Sequence, residues 1–350
     1  MQALDTSSVR GEQQRRKPRK VAFNDTTARV AEEDAREARS IMTATRNARI
    51  DPAAGTRGSE VERDFEFTAA DFARIRGLIH RRAGISLSDH KRDMAYSRLA
   101  RRLRACGIDT FKLYLDRLEA NEDSNEWEAF VNALTTNLTA FFRESHHFPI
   151  LADFAKRRQQ PVSVWCSAAS TGEEPYSIAM TLVEALGDHA ARQCTVFASD
   201  IDSQVLAKAD AGVYSLDQVK TLPADRLKRF FLKGTGAHAG LVKVRPELRA
   251  MVNFGRVNLT DARYDIKGPF DAIFCRNVMI YFDKPTQSHV LSRFDPLMKP
   301  GGLLFAGHSE NFTYVSQAFR LRGQTVYELT RDMKNAGAAK QTKALAGEVA

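Results

Sequence analysis

The chain has 350 residues, 43% hydrophobic and 27% charged, with a formal net charge of +9. That is enough apolar material for at least one large core, and the length points to two domains. No run approaches the roughly 18 apolar residues of a membrane span, and residues 1–60 lack the apolar core of about 7–15 residues that a secretory signal needs, so a cytoplasmic protein is expected. Cys106, Cys166, Cys194 and Cys275 show no CxxC spacing and read as reduced core residues. The positive charge calls for an acidic partner: nucleic acid, an anionic membrane or an acidic protein. It is concentrated, because residues 71–106 hold ten Arg plus Lys against three Asp plus Glu.

Residues 1–62 mix both signs of charge with few large apolar side chains and no sustained period, which predicts a disordered extension. From Thr68 the pattern turns helical. Thr68 and Asp71 form a cap, Phe72, Ile75 and Ile79 recur at helical spacing, and Gly84 ends the run. Two further sets repeat that spacing: Phe111, Tyr114, Leu115 and Leu118, then Trp127, Phe130, Val131 and Leu134. A small helical domain over 63–140 follows. Its second helix, over 89–104, places Lys91, Arg98, Arg101 and Arg102 apart from Ala95, Leu99 and Leu103. This basic stripe is either a solvated face or a docking surface for an acidic partner.

Beyond residue 160 strands alternate with helices, the signature of a parallel sheet with crossover helices. Strands are expected at 162–167, 195–200, 252–259, 270–277 and 303–308, with Pro300, Gly301 and Gly302 as a stop just before the last. Extra material over 212–251 contains a short helix near 224–231 and a glycine-rich stretch that predicts a small strand-bearing insertion. "FRLRGQTVYELT" alternates around Gly323 and predicts a terminal antiparallel hairpin. The α/β domain therefore spans 141–332, and 333–350 reads as a frayed tail.

"VWCSAASTGEEPYS", residues 164–177, runs from the first strand through small residues into a helix start. Ligands of open α/β sheets bind at that end of the strand, and a helix start there ordinarily receives phosphate. Glu173 and Glu174 would repel it. A phosphate-free nucleoside with a cationic end, such as S-adenosylmethionine, would be welcome. The competing reading is a bare capping box, Thr171 to Glu174. Asp200 ends the second strand, 28 residues past Gly172, and is placed either to accept from ribose hydroxyls or to cap the next helix. Asn258 closes the third strand with an amide suited to an adenine edge, and Arg276 with Asn277 closes the fourth. Glu144 to His147 is a lone E-x-x-H, and His146 and His147 belong to no set with metal spacing, so no metal is expected. No phosphate-loop or serine-hydrolase motif occurs.

"LTTNLTAFFRESHHFPIL" (134–151), "ASTGEEPYSIAM" (169–180), "FASDID" (197–202), "FDAIFCRNVMIYFD" (270–283) and "GHSENF" (307–312) closely resemble the CheR family of chemotaxis receptor methyltransferases over residues 65–330. The resemblance implies a class I S-adenosylmethionine-dependent methyltransferase fold, α/β and Rossmann-like, with a terminal antiparallel hairpin. A small all-helical domain precedes it and a β-subdomain is inserted in it. It implies methyl transfer to glutamate side chains of chemoreceptors, with S-adenosylhomocysteine as product. It assigns cofactor contacts to Asn137, Thr139, Arg143, Glu174, Asp200, Asn258, Leu259, Arg276 and Asn277, and sets Arg143 and Tyr281 nearest the methyl group. It turns the basic helix, with Arg98, Arg101 and Arg102, toward the receptor's cytoplasmic helices, and in some members the β-subdomain holds a receptor C-terminal peptide by strand addition. A monomer that binds no nucleic acid and does not insert in membrane is expected. The two alternatives are a nucleic-acid methyltransferase, whose footprint would be the basic helix, and a non-catalytic adaptor, against which Arg143 and Tyr281 stand.

Overall fold

The computed structural model describes residues 64–158 and 160–330; the expected extension over 1–62 and tail over 333–350 lie outside the described residues. The helical unit comprises α1 (Ala69–Ala83), α2 (Arg92–Cys106), α3 (Phe111–Ala120) and α4 (Glu126–Leu134). The Thr68 side chain accepts from the Asp71 amide while the Asp71 carboxylate accepts from the Thr68 amide, and Gly84 closes α1 at φ 69. The second helix begins later than expected, because Asp89–Lys91 form a 3₁₀ turn before it. Residues 135–146 form neither helix nor strand.

The α/β unit runs α5 (His147–Arg157), β1 (Ser163–Cys166), α6 (Glu173–Leu186), α7 (Asp188–Ala191), β2 (Thr195–Asp200) and α8 (Ser203–Ala211). The insertion follows as β3 (Val213–Ser215), α9 (Leu216–Val219), α10 (Ala224–Phe230), β4 (Phe231–Lys233), β5 (Leu241–Val244) and α11 (Pro246–Arg249). The chain then returns through β6 (Val252–Arg256), β7 (Phe270–Cys275), α12 (Lys284–Phe294), β8 (Met298–Ala306), β9 (Phe319–Gly323) and β10 (Val326–Leu329). The main sheet has the order β6-β2-β1-β7-β8-β10-β9, and the insertion has the order β3-β5-β4. In the main sheet β10 pairs antiparallel with both neighbours, which is the expected terminal hairpin. The remaining pairings are parallel.

Both faces of the sheet are covered. Along β1, Val164 and Cys166 enter a core with α5 and α6, whereas Trp165 enters one continuous with the helical unit. That alternation follows from the two-residue period of a strand. Cys166, Cys194 and Cys275 are buried and free, as their strand contexts predict. The stop expected at Pro300–Gly302 is not one: β8 starts at Met298 and passes through all three residues, absorbing them in a register shift opposite Phe270 and Ala272.

The two units meet beside β7. Ser86 N–H donates to the Tyr281 carbonyl at 2.8 Å, and Ile85 bridges Phe282. His80 Nε2 lies 2.9 Å from Asp283 Oδ2. At this seam Gly84 combines a left-handed φ with crowding, since a Cβ there would meet the Thr260 methyl and lie 3.0 Å from that of Thr286. Gly84→Ala should cost about 2 kcal/mol or more through backbone strain and overpacking, a fall in melting temperature of roughly 5 °C or more. Calorimetric melting of the variant checks this.

His147, fully buried at 0% exposure, bonds the hairpin turn through Nε2, which donates to the Gln324 carbonyl at 2.9 Å. Burial, helped by the nearby Arg276 charge, holds its imidazole down to about 4. An imidazole that titrates near 6.5 in the unfolded chain and lower in the folded one takes its proton more readily when unfolded. Its contribution is therefore intact above about pH 6.5 and is lost as pH falls toward 4. Urea midpoints should drop between about pH 7 and pH 5 more steeply in the wild type than in His147→Gln; parallel curves would assign the dependence elsewhere.

Candidate functional site

The sheet order reverses between β1 and β7, and such a switch point opens a crevice at the carboxyl ends of the strands. A cavity of about 550 Å³ lies there, within the range of small-molecule sites. Asn137, Thr139, Arg143, Glu174, Asp200, Asn258, Leu259, Arg276, Asn277 and Tyr281 all line it. Arg98, Arg101 and Arg102 do not.

The two acids of the opening motif take different directions. Glu174 faces the cavity and receives Arg276 Nη1 at 2.8 Å and the Cys166 thiol at 3.4 Å. Burial pushes its carboxyl up, against the opposing pull of Arg276. Glu173 turns to the insertion, accepting from Thr171 Oγ1 at 2.7 Å and Gln218 Nε2 at 3.3 Å. Gly172, not Thr171, is the N-cap of α6, and it makes no side-chain cap bond, so the capping-box alternative is not realised. The helix start is thus occupied by acid, and the pocket floor of Ser167, Ala168 and Ser170 is built from small side chains.

Asp200 is not a helix cap either, a role taken by Asp202. The Asp200 carboxylate accepts from the Ser170 amide at 2.9 Å and the Asp202 amide at 3.1 Å. Each oxygen retains a second lone pair, and burial raises its pKa. Asn258 lines the cavity and also makes contacts within the protein. Its amide donates to the Arg82 carbonyl at 3.0 Å and accepts from Thr260, because it ties α1 to the sheet. Asn277 adopts a left-handed φ of 57, which asparagine tolerates, and its amide donates to Glu144 Oε1 at 3.1 Å. Burial alone would raise the Glu144 carboxyl, but the Asn277 bond and the Arg276 charge bring it below its usual value. Glu144, His146 and His147 offer atoms within 4.8 Å of one another; with Arg276 Nη2 only 3.5 Å from Glu144, a metal cation there would meet an existing positive charge.

The basic stripe is largely used inside the helical unit. Arg102 donates to both Glu126 oxygens, with Nε 3.0 Å from Oε1, and Arg98 Nη1 donates to the Ala133 and Thr135 carbonyls. Both side chains therefore help seat α2 on α4, and Arg101 remains exposed.

Two contributions were not among the site residues singled out from the sequence. Ile85–Ser88, Lys91 and Met94 of the helical unit supply one cavity wall, and no local pattern announces a wall that depends on packing between units. Glu310 accepts from the amides of Asn277 at 3.1 Å, Val278 at 3.0 Å and Met279 at 2.8 Å, as well as Gly307. Its carboxylate is thus the mould for the loop bearing Asn277 and Tyr281, and "GHSENF" was its signal.

A crevice walled by two buried acids, which would repel phosphate, and crossed by a structural arginine suits a cationic nucleoside, and with this sheet it defines the class: an S-adenosylmethionine-dependent methyltransferase. The particular family follows from sequence comparison. Residues 70–135 match "CheR methyltransferase, all-alpha domain" and residues 137–328 match "CheR methyltransferase, SAM binding domain". The chain belongs to the CheR methyltransferase family. It is 63% identical to the chemotaxis protein methyltransferase of Salmonella typhimurium over 263 residues, which cover 75% of this chain and 91% of that one. The Escherichia coli protein is 60% identical over 263 residues, covering 75% and 92%. Chemotaxis protein methyltransferase 2 of Pseudomonas aeruginosa is 53% identical over 267 residues, covering 75% and 94%.

In Glu310→Gln an amide NH₂ would face backbone donors and leave some unpaired. Stability should fall by about 1–3 kcal/mol, and S-adenosylhomocysteine should bind more weakly by calorimetry than to wild type.

Proposed function

We propose that this chain transfers the methyl group of S-adenosylmethionine to glutamate side chains on the cytoplasmic helices of chemoreceptors, giving methyl esters. The observation that carries this reading is the cavity at the switch point, walled by the buried acids Glu174 and Asp200, in a chain of the CheR family. No helix among the described residues is long and apolar enough to cross a membrane, which fits a protein working on receptors from the aqueous side. A monomer, with a receptor tail peptide on an edge of the β3-β5-β4 sheet, belongs to the same reading.

When bound, S-adenosylmethionine supplies an electrophilic methyl on a sulfonium. In this reading Glu174 and Asp200 hold its ammonium and ribose hydroxyls, and Asn137, Thr139, Asn258, Leu259, Arg276 and Asn277 hold the remainder. A glutamate with a pKa near 4.3 is about 99.8% ionised at pH 7, so the acceptor needs no general base. What remains for the protein is alignment and exclusion of water, and aligning reactants can supply roughly 7–11 kcal/mol. Arg143 Nη1 is held by the Leu138 carbonyl at 2.9 Å, which leaves its remaining N–H groups to position the incoming carboxylate. Tyr281, held from behind by Ser86, shapes the passage.

Arg143→Ala should keep the fold and lose at least about a hundredfold in methyl transfer, the scale of a lost positioning contact. Transfer of radiolabel from S-adenosylmethionine to receptor-rich membranes measures it. Label released by mild base identifies a carboxyl ester. Base-stable label would favour a nucleic-acid or amine acceptor, and wild-type rates in the variant would remove Arg143 from the mechanism.

A further inference from the structure

Leu138 and Ile280 both line the cavity, yet they are 77% and 49% exposed. Neither exposure reflects slack chain. The segment bearing Leu138 is pinned on its inner side, where Asn137 Nδ2 donates to Asp202 at 3.0 Å and the Asn137 carbonyl accepts from Ser170 Oγ at 3.0 Å. Ile280 sits in the 3₁₀ turn Met279–Tyr281. There the Met279 amide is bonded to Glu310, and Gln287 Nε2 donates to the Met279 and Phe282 carbonyls at 2.9 and 3.0 Å. The turn buries Met279 and Phe282 and presents the residue between Met279 and Tyr281 to solvent. Two large apolar side chains on pinned backbone thus line the cavity while staying exposed to solvent, which places them at its rim. Exposing them has a hydration cost with no structural return in the free protein.

We propose that Leu138 and Ile280 form an apolar lip that receives the apolar side chains flanking the acceptor glutamate on an amphipathic helix of the receptor. This rests on the methyltransferase reading above and extends it to how the acceptor is chosen. On a helix, side chains three and four positions from the glutamate share its face, so a glutamate pointed into the cavity brings such neighbours against the rim. Charge at the same opening matches an acidic segment, since exposed Lys91 also lines the cavity. Leu138 is also the residue whose carbonyl holds Arg143. A helix seated on its side chain would therefore steady the backbone that aims the positioning guanidinium. The lip selects glutamates with apolar helical neighbours over isolated acidic side chains.

The test is methyl transfer to receptor-rich membranes by wild type, Leu138→Ser, Ile280→Ser and the double variant, with S-adenosylhomocysteine affinity and melting temperature measured alongside. Loss of apolar contact at a selective site is worth about tenfold or more. We expect each single variant to lower kcat/KM for receptor by about that factor, mainly through KM, with cofactor affinity within about twofold of wild type. Leu138→Met should restore most of the loss. A double variant that methylates receptor at the wild-type kcat/KM overturns the lip while leaving the methyltransferase reading intact. Absence of base-labile receptor label with the wild type itself removes both. As a measurement independent of variant folding, a benzophenone side chain placed at position 138 should crosslink to the receptor peptide that carries the acceptor glutamate. Crosslinks confined to other receptor regions, or none, overturn the proposal.

Discussion

The ion pair between Arg276 and Glu174 is the interaction on which the site depends. It joins the residue after β7 to the first turn of the helix after β1, across the crevice where the strand order reverses. Both side chains are almost fully buried, so each would be costly without the other, and losing one partner of such a pair costs roughly 3–5 kcal/mol. Arg276 Nη2 also donates to the Arg143 carbonyl, which binds the segment between the two units to the same point. One guanidinium therefore fixes the width of the cavity, the acid that faces it and the backbone of the residue proposed to guide the acceptor.

Around that pair, several polar groups serve as backbone templates. Glu310 shapes the Tyr281 loop, Asp200 holds the Ser170 turn, and Asn258 reaches back to α1. Such preorganisation suits a reaction whose demands are positional, because side chains already locked in place lose little freedom when reactants arrive.

Much of the architecture was legible because it rests on local rules. The Thr68 cap, the Gly84 stop and the spacing of Phe72, Ile75 and Ile79 define α1 from sequence, and the hydrophobic runs of β1 and β7 follow from burial on both faces. What was misread needed tertiary context. Pro300–Gly302 looks like punctuation, yet neighbouring strands hold it in β8. The partners of a basic stripe are likewise invisible in sequence: Glu126 and the carbonyls of Ala133 and Thr135 meet Arg102 and Arg98 only in the folded unit. The motif around Glu173 and Glu174 was legible as chemistry, but only the insertion's Gln218 distinguishes the acid facing the cavity from the one that does not.

The wall supplied by Ile85–Ser88, Lys91 and Met94 has a thermodynamic corollary. A molecule that fills the cavity touches both units at once, so it binds only the arrangement in which they are docked. By mass action it favours that arrangement over any state in which the helices have swung away or melted. Saturation with nucleoside thus acts as a reversible clasp, adding a ligand-dependent link to the core the two units already share.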